Sequence, residues 1–157
     1  MYLPASGGPL GGGAPPGPRR PGACQAVTAF VDTNILVRHL TGDPPEQAAR
    51  ATTFLAAADE LLLADLVVAE AVSVLESYYE VPRARVAELV RAIIAFPTIV
   101  VLDPAMLLRS LEVYETDWLD FAEAYLVAQA ERSGIEVIAS FDEAIDRVTT
   151  VRRLEPA

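Results

Sequence analysis

Short apolar runs, several of them β-branched, alternate with longer amphipathic stretches from Val27 to the C-terminal end of the chain. That alternation limits the fold more than any other feature. The strand-like runs are Val27–Asp32, Glu60–Ala64, Thr98–Leu102, Ile135–Ala139 and Thr149–Leu154, with Thr98–Leu102 the clearest. Helical signals fill the gaps between them. A short helix follows Asp32 and stops at Gly42. Asp43-Pro44-Pro45-Glu46 then offers an N-cap, a first-turn proline and a capping-box acid. Asp65 is placed to cap a helix running to about Glu80, with Val67, Ala71, Val74 and Leu75 as its apolar stripe. Pro82 opens a further helix, and Asp103-Pro104 opens one to about Glu115. Asp120–Ser133 forms another that Gly134 ends, and Phe141–Asp146 reads as a short helix. Strands separated by helices pair in parallel through right-handed crossovers. The predicted fold is α/β: a three-layer α/β/α sandwich around a parallel sheet of four or five strands.

The alternating region, residues 27–157, is one domain of a size that supports a full core. Residues 1–26 are a Gly/Pro-rich tract without periodicity, read as a flexible tail, either a fusion remnant or the product of an early start codon. A hydrophobic content of 52% and a mean hydropathy of +0.31 exclude a disordered chain. The apolar runs break at Asp, Glu, Arg or Pro well short of the ~20 residues a membrane span needs. Residues 1–26 lack the continuous apolar segment of a signal peptide, so the expected location is cytoplasmic.

The net charge is −10, and all 12 basic residues are Arg. So acidic a chain disfavours tight non-specific binding to nucleic acid, although a divalent cation in a carboxylate site reverses the sign locally. It also suits a basic protein partner. Cys24 is the sole cysteine, which rules out an internal disulfide and a cysteine-based zinc site. His39 is the sole histidine, set between Arg38 and Leu40 like a surface or rim residue.

In an open α/β sheet, ligands gather beyond the carboxyl ends of the strands. Four strand-to-helix regions here each carry an acid near that edge. Asp32 ends the first strand; its plain alternative is an N-cap, a role Thr33 or Asn34 can also take. Glu70 sits among apolar neighbours in Val68-Ala69-Glu70-Ala71, with Ser73 and Ser77 on the same face; its alternative is a solvent-facing acid. Glu76 and Glu80, further along that helix, read as surface charges. Glu123 completes a capping-box pattern with Asp120, and the cap and a ligand role are compatible. Asp142 follows the fourth strand, where Ser140-x-x-Glu143 is again box-like and a first-turn acid suits the helix dipole; Asp146 reads as solvated. Two unit charges ~4 Å apart repel by ~4 kcal/mol at an effective dielectric of ~20. Gathered carboxylates therefore hold a cation or retain protons. Hard cations such as Mg²⁺ and Mn²⁺ prefer such oxygen ligands.

Phe30-Val31-Asp32-Thr33-Asn34, Val68-Ala69-Glu70-Ala71-Val72-Ser73-Val74-Leu75, Asp120-Phe121-Ala122-Glu123-Ala124 and Ser140-Phe141-Asp142 occur in this order. In these stretches the chain resembles the PIN-domain ribonucleases, most closely the VapC-like toxins of bacterial toxin–antitoxin pairs. The resemblance covers about residues 27–154. It implies a Mg²⁺ or Mn²⁺ cofactor, hydrolysis of RNA phosphodiester bonds, homodimerisation and neutralisation by a cognate antitoxin. Position by position it implies Asp32, Glu70, Glu123 and Asp142 as the catalytic acids. Asp32, Glu123 and Asp142 are then the metal ligands, with Asn34, Asp120 and Ser140 in support. The implied chemistry is metal-assisted attack of water on a phosphate. Arg38, Arg83, Arg85 and Arg109 are unranked candidates for gripping the substrate.

One departure stands out: Glu123 occupies a position where the family usually has Asp. Its carboxylate reaches about one methylene further, while Mg²⁺ demands near-ideal octahedral geometry. The alternative reading is therefore a weak or inactive PIN-fold binding module. The aspartyl-phosphate phosphatases and receiver domains also place an Asp after the first strand, but they use Lys, and this chain has none.

Overall fold

The structure is a computed structural model that describes residues 28–157; the Gly/Pro tract 1–26 and Val27 lie outside the described residues. Five strands and six α-helices alternate much as the sequence predicts. They run β1 (Thr28–Phe30), α1 (Thr33–Thr41), α2 (Pro45–Ala57), β2 (Glu60–Leu62), α3 (Asp65–Ser77), α4 (Arg83–Ile94), β3 (Ile99–Val100), α5 (Pro104–Thr116), α6 (Phe121–Ser133), β4 (Val137–Ala139) and β5 (Arg152–Leu154). A 3-10 turn, Glu143–Arg147, lies between β4 and β5 where a short helix is predicted.

All strand pairing is parallel, as the crossovers require. Thr28 pairs with Glu60 and Leu61 with Ile99, giving the order β1-β2-β3. Val137 pairs with Arg152 in a separate β4-β5 ladder. The five strands thus form ladders of three and two, and no ladder joins them among the described residues. The strand with the clearest sequence signal, Thr98–Leu102, is the shortest in the structure. Its chain turns toward the Asp103 cap, and Leu102 is left 91% exposed.

Local chemistry explains most helix ends. Gly42 (φ 74°) and Gly134 (φ 72°) take the left-handed conformation that closes α1 and α6. The Gly42 N–H donates to the Arg38 carbonyl at 3.0 Å. Asp103 caps α5 by accepting from the Met106 N–H at 3.1 Å. Two expected caps shift by one residue. Pro45, not Pro44, opens α2, because a residue preceding proline is pushed out of helical geometry and Pro44 stays extended at φ −70°, ψ 151°. Asp65 is the first residue of α3 instead of its cap, and it accepts a 2.7 Å hydrogen bond from the Tyr125 hydroxyl of α6. Burial, with help from that bond, pushes the Tyr125 phenol up to about 12. The buried stripe of α3 rotates accordingly to Val68, Ala71, Val72 and Leu75, leaving Val67 and Val74 at its margins.

A single apolar cluster unites the helices, with Leu55, Leu61, Leu75, Leu111, Tyr114 and Leu119 sealed from solvent. Helix α5 packs on α6, and α4 on α3 and α5. Across the α5–α6 seam Arg109 makes a two-pronged bond to Glu131, Nε to Oε2 at 2.8 Å and Nη2 to Oε1 at 2.9 Å. Thr150 adds a hydroxyl bond to the same carboxylate. The guanidinium holds the Glu131 carboxyl below its ordinary value. The stabilisation is therefore complete above the unfolded pKa near ~4.3 and lost as pH falls through the lower folded value. Glu131→Gln should lower stability by about 1 kcal/mol at pH 7, discounted for a partly solvated pair. In urea titrations the gap between wild type and variant should close below pH 4; a gap constant with pH would refute the assignment.

Candidate active site

Strand β1 delivers Asp32 to the start of α1. Its carbonyl takes up the first helical N–H groups, from Ile35 at 3.1 Å and Leu36 at 3.4 Å, but its carboxylate makes no capping bond. The side chain that sequence alone could assign to capping is instead exposed and steadied by the Asn34 amide, which donates to Oδ2 at 3.2 Å. Thr33 is buried and turns its hydroxyl to Glu70 of α3, donating to Oε2 at 2.5 Å. Asp32, Asn34, Arg38, Glu70, Tyr78 and Tyr79 thus share the walls of one open cleft of about 220 Å³.

The second pair of acids stands on α6 and after β4. The capping box expected at Asp120 is complete: the Glu123 N–H donates to Asp120 Oδ1 at 2.8 Å, and the Asp120 N–H donates back to Glu123 Oε2 at 3.4 Å. The Glu123 and Asp142 carboxyls lie close enough to act on one another. Partial burial, then the Asp120 charge and the neighbouring Asp142 carboxyl, push Glu123 above its ordinary value. Asp142 is held below its own, first by the Ala144 N–H donating to Oδ1 at 2.8 Å and then by Glu123. Asp142 is itself the cap of the 3-10 turn, and Ser140 Oγ accepts from the Asp142 N–H at 3.0 Å.

The acids accordingly fall into two groups, Asp32 and Glu70 on the walls of one cleft, and Glu123 near Asp142. Among the described residues no three His, Cys, Asp or Glu side chains are grouped so as to hold a metal ion together. Glu76 corrects the surface reading: it is half-buried and accepts from the Tyr114 hydroxyl at 2.6 Å, with Arg83 3.7 Å away. Asp146 is paired with Arg153 at 3.0 Å.

The arginines now separate. Arg109 is committed to Glu131 and Glu112, Arg85 to Glu88 and Arg83 to Glu76 and two backbone carbonyls. Arg38 bonds only neutral acceptors: Gln47 Oε1 at 3.1 Å, the Asp43 carbonyl at 3.1 Å and the Tyr79 hydroxyl at 3.2 Å. It lines the Asp32 cleft and an adjoining depression that also contains Arg50. Sequence reasoning missed Tyr79, which also donates to Asp43 Oδ2 at 3.3 Å, and Trp118. Periodicity marks both as apolar and says nothing of their exposure.

A parallel α/β chain with acids at its strand-to-helix junctions sets carboxylates where open α/β sheets bind their ligands. The family model described as PIN domain matches residues 29–151, and the chain belongs to the PIN-domain family. PIN domains are generally nucleases that act on nucleic acids and typically use divalent metals. No curated protein matches the chain. No helix among the described residues is long and apolar enough to cross a membrane.

The donor chemistry fits a hard divalent cation. Glu123 and Asp142 bring two carboxyl groups near one another, an oxygen donor set of the kind such cations take. Mg²⁺ typically takes only one or two protein carboxylates, with water and substrate phosphate completing its shell. Paired carboxylates therefore meet its needs.

Proposed function

We propose that the chain is a Mg²⁺- or Mn²⁺-dependent endoribonuclease that hydrolyses RNA phosphodiester bonds as the toxin of a toxin–antitoxin pair. The observation that carries this reading is the match of residues 29–151 to the PIN-domain family model, in a chain whose Asp32, Glu70, Glu123 and Asp142 lie at or near strand-to-helix junctions. Asp32, Glu123 and Asp142 are the residues that would hold the metal, drawn together by it, since the structure does not group three such side chains among the described residues. When bound, it lowers the pKa of a water molecule and offsets charge on the scissile phosphate. Glu70, oriented by Thr33, positions the attacking water. Asn34 steadies Asp32, Asp120 fixes the turn that presents Glu123, and Ser140 sets the backbone at Asp142. Arg38 and Arg50 supply positive charge for the RNA backbone on an otherwise acidic molecule.

In this reading the protein is a cytoplasmic homodimer, silenced by an antitoxin. Exposed apolar side chains such as Leu66 and Leu102 are consistent with such partners, and the net charge of −10 favours a basic one. The second reading, an inactive PIN-fold binding module, is favoured specifically by Glu123, whose longer side chain already serves the capping box.

The test is cleavage of total RNA by the purified, antitoxin-free chain with Mg²⁺, Mn²⁺ or EDTA. Cleavage with either cation and none with EDTA is the expected result. A folded chain that binds Mn²⁺ yet cleaves no RNA would establish the binding module instead.

A further inference from the structure

Two successive carbonyls between α5 and α6 are held by arginines from outside that hairpin. Arg83, the first residue of α4, donates from Nη1 to the Leu119 carbonyl. Arg147, the last residue of the 3-10 turn, donates from Nη1 to the Trp118 carbonyl at 3.1 Å. The same Arg83 nitrogen also donates to the Tyr114 carbonyl at 2.6 Å, in the last turn of α5, where a helix leaves its own carbonyls without partners. One guanidinium therefore spans the connection from the end of α5 to the residue before the Asp120 cap of α6. Trp118, between those points, has φ 58°, a conformation that a bulky residue keeps only where its surroundings over-determine it.

Arg83 is itself anchored. Its guanidinium lies 4.2 Å from the Tyr114 ring centroid, and Nη2 is 3.7 Å from Glu76 Oε1, which accepts from the Tyr114 hydroxyl at 2.6 Å. Tyr114 and Leu119 are sealed from solvent, and the Arg83 side chain is only 22% exposed, so it has little surface to offer an RNA backbone. Arg147 ends a short turn whose cap is Asp142. Its bond to Trp118 thus ties the segment bearing Asp142 to the segment that starts α6 and presents Glu123.

We propose that Arg83 is a positioning residue for the metal site: with Arg147 it fixes the turn before α6, and so the separation of the Glu123 and Asp142 carboxylates. This rests on the reading of those two acids as metal ligands. It takes Arg83 out of the residues that grip substrate.

The full chain and its Arg83→Ala variant would be titrated with Mn²⁺, following free Mn²⁺ by electron paramagnetic resonance. RNA cleavage would be measured separately at saturating Mn²⁺. The variant should bind Mn²⁺ about 10- to 100-fold more weakly, the usual loss when a residue orienting a metal ligand is removed. Its KM for RNA should be unchanged. Millimolar guanidinium should restore affinity and the same concentration of Na⁺ should not, a response that a merely structural role would not give. Arg83→Lys, which keeps the charge but lacks the planar fork, should fall between the two. Arg147→Ala, on an exposed side chain, leaves the core untouched and decides the matter if Arg83→Ala does not fold; it should cost roughly two- to tenfold in Mn²⁺ affinity. Unchanged Mn²⁺ affinity in either folded variant would overturn the clamp. A raised KM with unchanged Mn²⁺ affinity would return Arg83 to substrate binding. Weakened Mn²⁺ binding by the variants of a chain that cleaves no RNA would support the clamp and remove the ribonuclease reading alone. A wild-type chain that binds no Mn²⁺ would overturn the clamp and the metal site together.

Discussion

Asp32→Asn should reduce metal-dependent RNA cleavage on the order of 10²-fold or more while leaving the fold intact. The two halves of that expectation come from different atoms of one residue. The Asp32 carbonyl starts α1, whereas its carboxylate takes no part in capping and points into the cleft with Glu70 and Arg38. Asn keeps the carbonyl and the size of the side chain but removes the charge that a hard cation requires. The stability change should stay within about 0.5 kcal/mol, as for other surface substitutions away from structural contacts. Single-turnover cleavage in Mn²⁺ together with thermal melting reads both. Unchanged cleavage would take Asp32 out of the metal site; a collapsed melting temperature would show its carboxylate to be structural.

Glu123→Asp should raise the cleavage rate, by up to about 10²-fold, the scale on which a displacement of ~1 Å is felt in catalysis. Glu123 returns a long 3.4 Å bond to the Asp120 N–H and lies near the Asp142 carboxyl, and in the proposed reading it would also offer oxygen to a cation. Shortening the side chain by a methylene relaxes the first two and draws the carboxylate back toward the family's usual reach. The other half of the box, the Glu123 N–H bond to Asp120 at 2.8 Å, is backbone on one side and survives, so the stability cost should stay below about 1 kcal/mol. The ratio of Mg²⁺- to Mn²⁺-supported rates is the sharper measurement. It should rise with Asp, because Mg²⁺ is the stricter of the two in geometry. A variant slower than wild type in both metals would mean that the chain has adapted its site to glutamate.

Much of the fold is legible because its signals are local. Gly42 and Gly134 stop helices through their own backbone freedom, and Asp103 and Asp120 cap the helices they immediately precede. What escapes a reading of the chain depends on distant partners. Asp65 resembles a cap until Tyr125, 60 positions away, claims it, and Glu76 resembles a surface charge until Tyr114, 38 positions away, does the same. The splitting of the strands into ladders of three and two is likewise a matter of how distant segments meet. At the site, the positions of the acids follow from the strand-to-helix pattern. Their pairing does not, since the Glu123–Asp142 contact depends on side-chain direction across two elements. The arginines show the same limit: the four unranked candidates in sequence, Arg38, Arg83, Arg85 and Arg109, become distinguishable only when their carboxylate partners are seen.

Helices α1 and α6 both begin at the acids, with Asp32 and Asp120 at their cap positions and Glu123 in the first turn of α6. A helix start carries roughly half a positive charge from its aligned peptide groups. The main chain therefore serves as a built-in counterion for the acidic rim. It makes the gathering of negative charge tolerable before any cation arrives, so assembly of the rim is separated from its loading. In the proposed reading the ion would be a visitor that enables chemistry, while the architecture around it belongs to the polypeptide alone.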